Sequence, residues 1–188
     1  MTCEPTRLEM FLTRIVFFLC GKSVYQDFSD RLPLQGTEKV LDFGCGMGTV
    51  AYYVARRLPQ GHLVCLDISQ RRLSACRRTL RRFRNVSFLC VEASELPRDS
   101  FDVIYCHFVL HDIPPGDLET VIPWLAESLK PGGVFVIREP LNEAEALRGI
   151  KRLTEHSGLL LKTSRITHVP LMGNAVESIF AKNTAREV

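Results

Sequence analysis

Between Val40 and Ala51 the chain reads VLDFGCGMGTVA: an apolar run, a carboxylate, three glycines in five positions, then helix-forming residues. No other stretch restricts the fold as much. Glycine adopts positive φ without steric cost and lets another group approach the backbone closely. Gly44, Gly46 and Gly48 therefore mark a sharp turn from a strand into a helix. A helix entered this way offers unpaired backbone N–H groups in its first turn. In an open α/β sheet, ligands bind in crevices at the carboxyl ends of the strands. The stretch is expected to line a ligand site, the alternative being a tight turn that serves no ligand.

Downstream, short apolar or β-branched runs alternate with helical patterns. The strands expected are Lys39–Phe43, His62–Asp67, Val86–Val91, Val103–Cys106 and Val134–Arg138. Helical patterns lie near Thr49–Leu58, Gln70–Phe83, Leu118–Leu129 and Glu143–His156. Such alternation specifies parallel βαβ units and an α/β layered fold. Ser69 is placed to cap the second helix, Pro123 to kink the third, and the KPGG at Lys130–Gly133 to stop it. Two apolar runs flank Gly173–Asn174, which predicts a terminal hairpin. The expected division is an N-terminal helical lid and connector over residues 1–36, then a single ligand-binding domain over 37–188.

Asp67 ends the second strand, nineteen residues after Gly48. A carboxylate at that position accepts both hydroxyls of a ribose; the alternative is a simple capping aspartate. The dinucleotide fingerprint GxGxxG is not met, because its third position falls on Thr49 and the third glycine is Gly48. Asp42 beside the loop would repel a pyrophosphate and attract a cation. Nicotinamide cofactors are thereby disfavoured. The GKS at Gly21–Ser23 lacks the earlier glycine of a phosphate loop, with Val16 in its place.

The net charge of +3 requires neither nucleic acid nor membrane. The apolar stretch Met10–Gly21 is divided by Arg14, leaving a run too short to span a bilayer. A helix covering the domain is expected there, with contact to a membrane surface as the alternative. The seven cysteines contain no CxxC pair, so no metal site is expected. Their number and placement in apolar runs fit reduced thiols in a cytoplasmic protein.

Five segments together resemble the class I S-adenosylmethionine-dependent methyltransferase family. They are VLDFGCGMG, the CLD that ends in Asp67, FLCVEASELP, SFDVIYCHFVLHDI and LKPGGVFVI, in family order and spacing over about Val40 to Lys182. The resemblance implies a Rossmann-like methyltransferase fold: a mostly parallel seven-stranded sheet, an antiparallel C-terminal strand, and helices on both faces. It implies S-adenosylmethionine as cofactor and S-adenosylhomocysteine as product. Asp42, Gly44, Cys45, Gly46 and Gly48 would surround the methionine part, and Asp67 would take the ribose hydroxyls. Ile68 would lie against the adenine face, and Glu92 and Ala93 at its edge, although Glu92 stands where aspartate is commoner. Cys106 would meet the cofactor through its backbone.

Methyl transfer from a sulfonium is an in-line displacement, so alignment is the main requirement. A base is needed only where the nucleophile must lose a proton. His111, followed by Asp112, is the candidate base, the alternative being a place in the pocket wall; His107 is expected to pack at the strand end. No stretch is long enough for a separate substrate domain, so Thr6–Asp30 is expected to supply most of any lid. The open site that results admits a projecting side chain of a macromolecule or a small molecule, the latter being the acceptor expected. Against this stand seven arginines between Arg71 and Arg84. They read either as a solvated basic face or as phosphate contacts for a nucleic-acid or protein acceptor with strong salt dependence. A scaffold protein without turnover is the remaining alternative.

Overall fold

A computed structural model describes residues 6–90 and 96–184. The chain divides between Glu95 and Leu96 into two compact units.

The first unit opens with helix α1 (Arg7–Gly21), a π-helical turn over Lys22–Gln26 and helix α2 (Asp27–Arg31), so helix extends into the expected connector. Val24, Tyr25 and Phe28 are buried. Phe17 meets Tyr52 edge-on at 5.7 Å. Towards solvent, α1 leaves Leu8, Phe11, Leu12, Ile15, Phe18 and Leu19 exposed. Strands β1 (Lys39–Phe43), β2 (His62–Leu66) and β3 (Val86–Leu89) run parallel in the order β3-β2-β1. Their side chains are largely apolar on both faces, as a covered parallel sheet requires.

Helix α3 (Thr49–Arg56) starts at Gly48, whose φ is +77°. Helix α4 (Gln70–Thr79) is capped as expected, the Ser69 hydroxyl accepting from Arg72 N at 3.1 Å. It buries Leu73 and Cys76, with Leu80 buried just beyond its end. It stops four residues short of the expected Phe83. Continuation would stack Arg77 on Arg81 and Arg78 on Arg82, and like charges at i,i+4 oppose helix.

In the second unit, strands β4 (Phe101–His107) and β5 (Leu129–Pro140) are parallel. Strand β7 (Gly173–Lys182) runs antiparallel to β5, and β6 (Leu159–Val169) antiparallel to β7, giving the order β4-β5-β7-β6. The seven strands of the expected fold class are present, mostly parallel with antiparallel pairing at the C-terminal end. Helix α5 (Pro115–Ser128) continues through Pro123. The KPGG is not its stop: it lies within β5 where the ladder shifts between the Phe101–Leu129 and Val103–Val134 pairs, with Gly132 at φ +77°. Helix α6 (Ala144–His156) ends near Gly158, at φ +81°.

The hairpin turn lies earlier than expected. Val169 pairs with Gly173, and Leu171 carries the positive φ of +68°. Met172 N closes the turn on Val169 O at 3.0 Å, so Asn174 is already in the ladder. A charge ladder crosses three strands here. Arg138 on β5 stands opposite Glu177 on β7, which stands opposite Arg165 on β6. Arg138 is fully buried and donates to Glu177 Oε2 from Nε at 3.0 Å and from Nη2 at 2.7 Å. Arg165 donates to Glu177 Oε1.

Candidate functional site

In the first unit the glycine loop is tied to the end of β2. The N–H groups of Gly44 and Cys45 both donate to Leu66 O, at 2.8 and 2.9 Å. Gly44 and Gly46 have φ of +74° and +52°. Gly46 N donates to Asp67 Oδ2 at 2.8 Å, and Ser69 N donates to Asp67 Oδ1 at 2.8 Å. Asp67 and Asp42 are each 3 % exposed, so both carboxylates are held inside the loop region. A carboxylate offers about four acceptor positions. One hydrogen bond to each Asp67 oxygen leaves two positions, the number that the two hydroxyls of a ribose require.

Gly46 and Gly48 differ in what they permit. A Cβ at Gly46 would meet nothing within 4 Å, whereas one at Gly48 would stand 2.7 Å from Cys76 Sγ. The first glycine keeps space open beside Asp67; the second allows α4 to pack against the loop. Ile68 is 47 % exposed between the buried Asp67 and Ser69, an apolar face of the kind an adenine covers. Open space, a carboxylate with two acceptor positions and an exposed isoleucine fit S-adenosylmethionine. Glu92 and Ala93 lie outside the described residues.

The loop also touches a feature the sequence does not reveal. The sulfurs of Cys45, Cys65 and Cys76, all buried, lie within 4.8 Å of one another. Hydrogen bonds from the Cys45 and Cys65 thiols draw the Cys76 thiol down to about 5. On the flank of this unit, Arg14, Arg78, Arg81 and Arg82 join Met10 and Phe11 around a hollow of about 690 Å³.

In the second unit, Cys106 is fully buried on β4, opposite Ile137. The next residue, His107, keeps some surface, but its Nε2 has none. Burial pushes its pKa down to about 3, so it stays neutral. Phe108 then adopts φ +55°, a strained conformation for an aromatic residue. Its N–H is held by Arg138 O at 2.8 Å.

The loop that follows is organised by Glu139, at the end of β5 and fully buried. Glu139 Oε1 accepts from Val109 N at 3.2 Å and Leu110 N at 2.9 Å. Oε2 accepts from His111 N at 3.4 Å and lies 2.6 Å from His111 Nδ1. The hydrogen bond to Glu139 raises the His111 pKa above its ordinary value, against the opposing effect of burial. With Nδ1 engaged, Nε2 is the nitrogen left to exchange a proton, and Asp112 Oδ1 stands 3.5 Å from it. His111, Asp112, Phe108, Asn142 and Glu143 border a hollow of about 470 Å³.

Sequence reasoning picked out His111 but not Glu139. The available signal was the charged pair Arg138–Glu139 at the end of an apolar strand, where a charge persists only with partners.

A strand, a glycine turn and a helix, with an acceptor at the next strand tip, define a nucleoside-binding α/β domain. The model of the family described as "Methyltransferase domain" matches residues 40–133. This chain belongs to that family. A trans-aconitate 2-methyltransferase of Methylobacterium radiotolerans is 33% identical over 129 residues, 68% of this chain and 48% of that protein. A carboxy-S-adenosyl-L-methionine synthase of Shewanella baltica is 26% identical over 125 residues, 64% of this chain and 51% of that protein. The chain thus spans about half the length of the curated relatives it matches. In fold it is similar to a TehB-like methyltransferase from Corynebacterium glutamicum, with a TM-score of 0.71 at 18% identity, covering 93% of this chain and 97% of that one. Among the described residues, no helix is long and apolar enough to cross a membrane.

Proposed function

We propose that this chain transfers a methyl group from S-adenosylmethionine to a small neutral or cationic acceptor, His111 taking up the acceptor's proton. Asp67 carries the reading: a buried carboxylate, fixed by two backbone N–H groups, with two acceptor positions left beside open space at Gly46. When bound, the cofactor supplies an activated methyl group on a positively charged sulfur. Asp67 holds the ribose, Ile68 covers the adenine face, and Glu92 and Ala93 meet its edge. Asp42, Gly44, Cys45 and Gly46 enclose the methionine part, Gly48 sets the start of α3, and Cys106 contributes backbone.

Glu139 fixes the tautomer of His111 by accepting from Nδ1–H, so that Nε2 carries the lone pair. It also stabilises the imidazolium that forms when Nε2 accepts a proton. Asp112 and Glu143 beside the hollow disfavour a polyanionic acceptor and suit a hydroxyl or amine compound. The acceptor class proposed therefore departs from the trans-aconitate named for one relative. A reducing cytoplasmic setting suits the free cysteines.

Transfer to a nucleic acid or protein is the second reading, favoured by the hollow bordered by Arg14, Arg78, Arg81 and Arg82. Calorimetric titration with S-adenosylmethionine and S-adenosylhomocysteine, with NAD as control, tests the cofactor assignment. Micromolar binding of the first two and none of NAD is expected; no binding of either would leave a scaffold role. Acceptor screening at low and high salt then separates the two acceptor classes, because phosphate contacts weaken steeply with salt.

A further inference from the structure

We propose that Cys45, Cys65 and Cys76 form a binding site for one Cu(I) ion, and that occupancy of this site weakens binding at the cofactor loop. The three sulfurs come from three different elements: the glycine loop, β2 and α4. All three lie within 4.8 Å of one another, and Cys65 and Cys76 have no exposed surface. A trigonal three-sulfur site with metal–sulfur bonds of about 2.3 Å needs sulfurs about 4 Å apart. Each sulfur therefore has to move by less than about 1 Å.

The donor set selects the ion. Among the described residues, no carboxylate, imidazole or further thiol joins the three sulfurs. Zn(II) favours four ligands, and the burial of Cys65 and Cys76 leaves little access for water as the fourth. Soft thiolates select Cu(I), which is satisfied by fewer ligands. Each thiolate formed on binding gives its proton to solvent.

Cys45 lies between Gly44 and Gly46, and Gly46 N is already at 2.8 Å from Asp67 Oδ2. Any movement of the loop as Cys45 Sγ closes on the ion disturbs that bond, and with it the setting of Asp67 that the cofactor assignment requires. Linkage requires the converse as well: a bound nucleoside cofactor weakens Cu(I) binding by the same factor.

The test is anaerobic titration of the reduced full chain with Cu(I) against a competing chelator such as bicinchoninate, with X-ray absorption of the loaded protein. One equivalent with three sulfur ligands is expected. Cys65→Ser and Cys76→Ser should each lower Cu(I) affinity by more than the roughly 100-fold typical of losing an outer partner. Cys20→Ser and Cys90→Ser should not change it. Thermal melts check that the variants fold, and Cys65→Ala replaces either one that does not. Binding that survives substitution of Cys65 and Cys76, or that shows nitrogen and oxygen ligands, overturns the site.

Loading with Cu(I) should weaken S-adenosylhomocysteine binding by about tenfold; an unchanged affinity overturns the coupling. That arm rests on the cofactor assignment above. If the metal-free protein does not bind S-adenosylhomocysteine, the assignment fails while the copper titration still decides the cluster.

Discussion

Two loops of this protein are each organised by a buried carboxylate, but the carboxylates are occupied differently. Asp67 receives one backbone N–H on each oxygen, from Gly46 and from Ser69. Glu139 receives two donors on Oε1 and two on Oε2, from Val109, Leu110 and His111. With about four acceptor positions per carboxylate, Asp67 keeps half and Glu139 keeps none. The first has room to accept from a further group, and the second is fully engaged in holding its own loop. The same chemical group thus serves two ends according to how many neighbours it is given.

The sharpest way to break this comparison is at the residue that Glu139 positions. His111→Ala should lower kcat by roughly 10²–10⁴-fold, the usual contribution of a positioned base, while calorimetry finds S-adenosylhomocysteine affinity unchanged. An unaltered rate at every pH would return His111 to the pocket wall. On the other side, Asp67→Ala should weaken S-adenosylhomocysteine binding by roughly 10–100-fold, corresponding to a lost hydrogen bond or two of charged type. Unchanged affinity would sink the ribose assignment.

The glycines sharpen the comparison within the first loop. Gly48→Ala places a Cβ 2.7 Å from Cys76 Sγ at a φ of +77°, so it should lower stability by about 1–3 kcal/mol in denaturant titration. Gly46→Ala meets no atom within 4 Å and should cost less stability while reducing cofactor affinity. The reverse order would mean that the open space at Gly46 serves no ligand.

Glu139→Gln turns an amide NH2 towards two of the N–H groups from which the carboxylate accepts, so it should loosen the loop as well as remove the charge. The loss of charge is read in the pH profile. The base works when neutral, so the rate rises with pH through the His111 pKa, which Glu139 holds above 6.5. Losing the charge should move that midpoint down towards 6.5. The sign for stability follows from the same shift. The raised pKa contributes stability that is fully present below about 6.5, and this is lost as pH rises through the folded value. A midpoint that does not move would separate Glu139 from the titration of His111.

These two loops also explain how much was legible in the chain. The cofactor end is written locally: Gly44 to Asp67 spans one strand, one helix and the next strand tip, and its residue types admit few geometries. The chemical end is not. Glu139 reaches His111 from 28 positions away, and no periodicity links them. The cysteine cluster was hidden for the same reason, because Cys45, Cys65 and Cys76 have no metal-ligand spacing along the chain and meet only through β2 and α4. Boundaries erred where sterics or charge overrode pattern, as at the arginine pairs ending α4 and at the Leu171 turn.

The ladder of Arg138, Glu177 and Arg165 has a consequence for assembly. Val, Ile and Phe fill much of β5 and β7, and such residues tolerate a two-residue slip because the same faces stay buried. A slip of β7 by two would set Ala175 or Ile179 opposite Arg138 and take the Glu177 carboxylate away from a buried guanidinium group. Breaking a buried pair costs about 3–5 kcal/mol, comparable with the whole stability of many domains. The C-terminal hairpin is therefore held to one alignment by a buried charge pair that every even slip would separate.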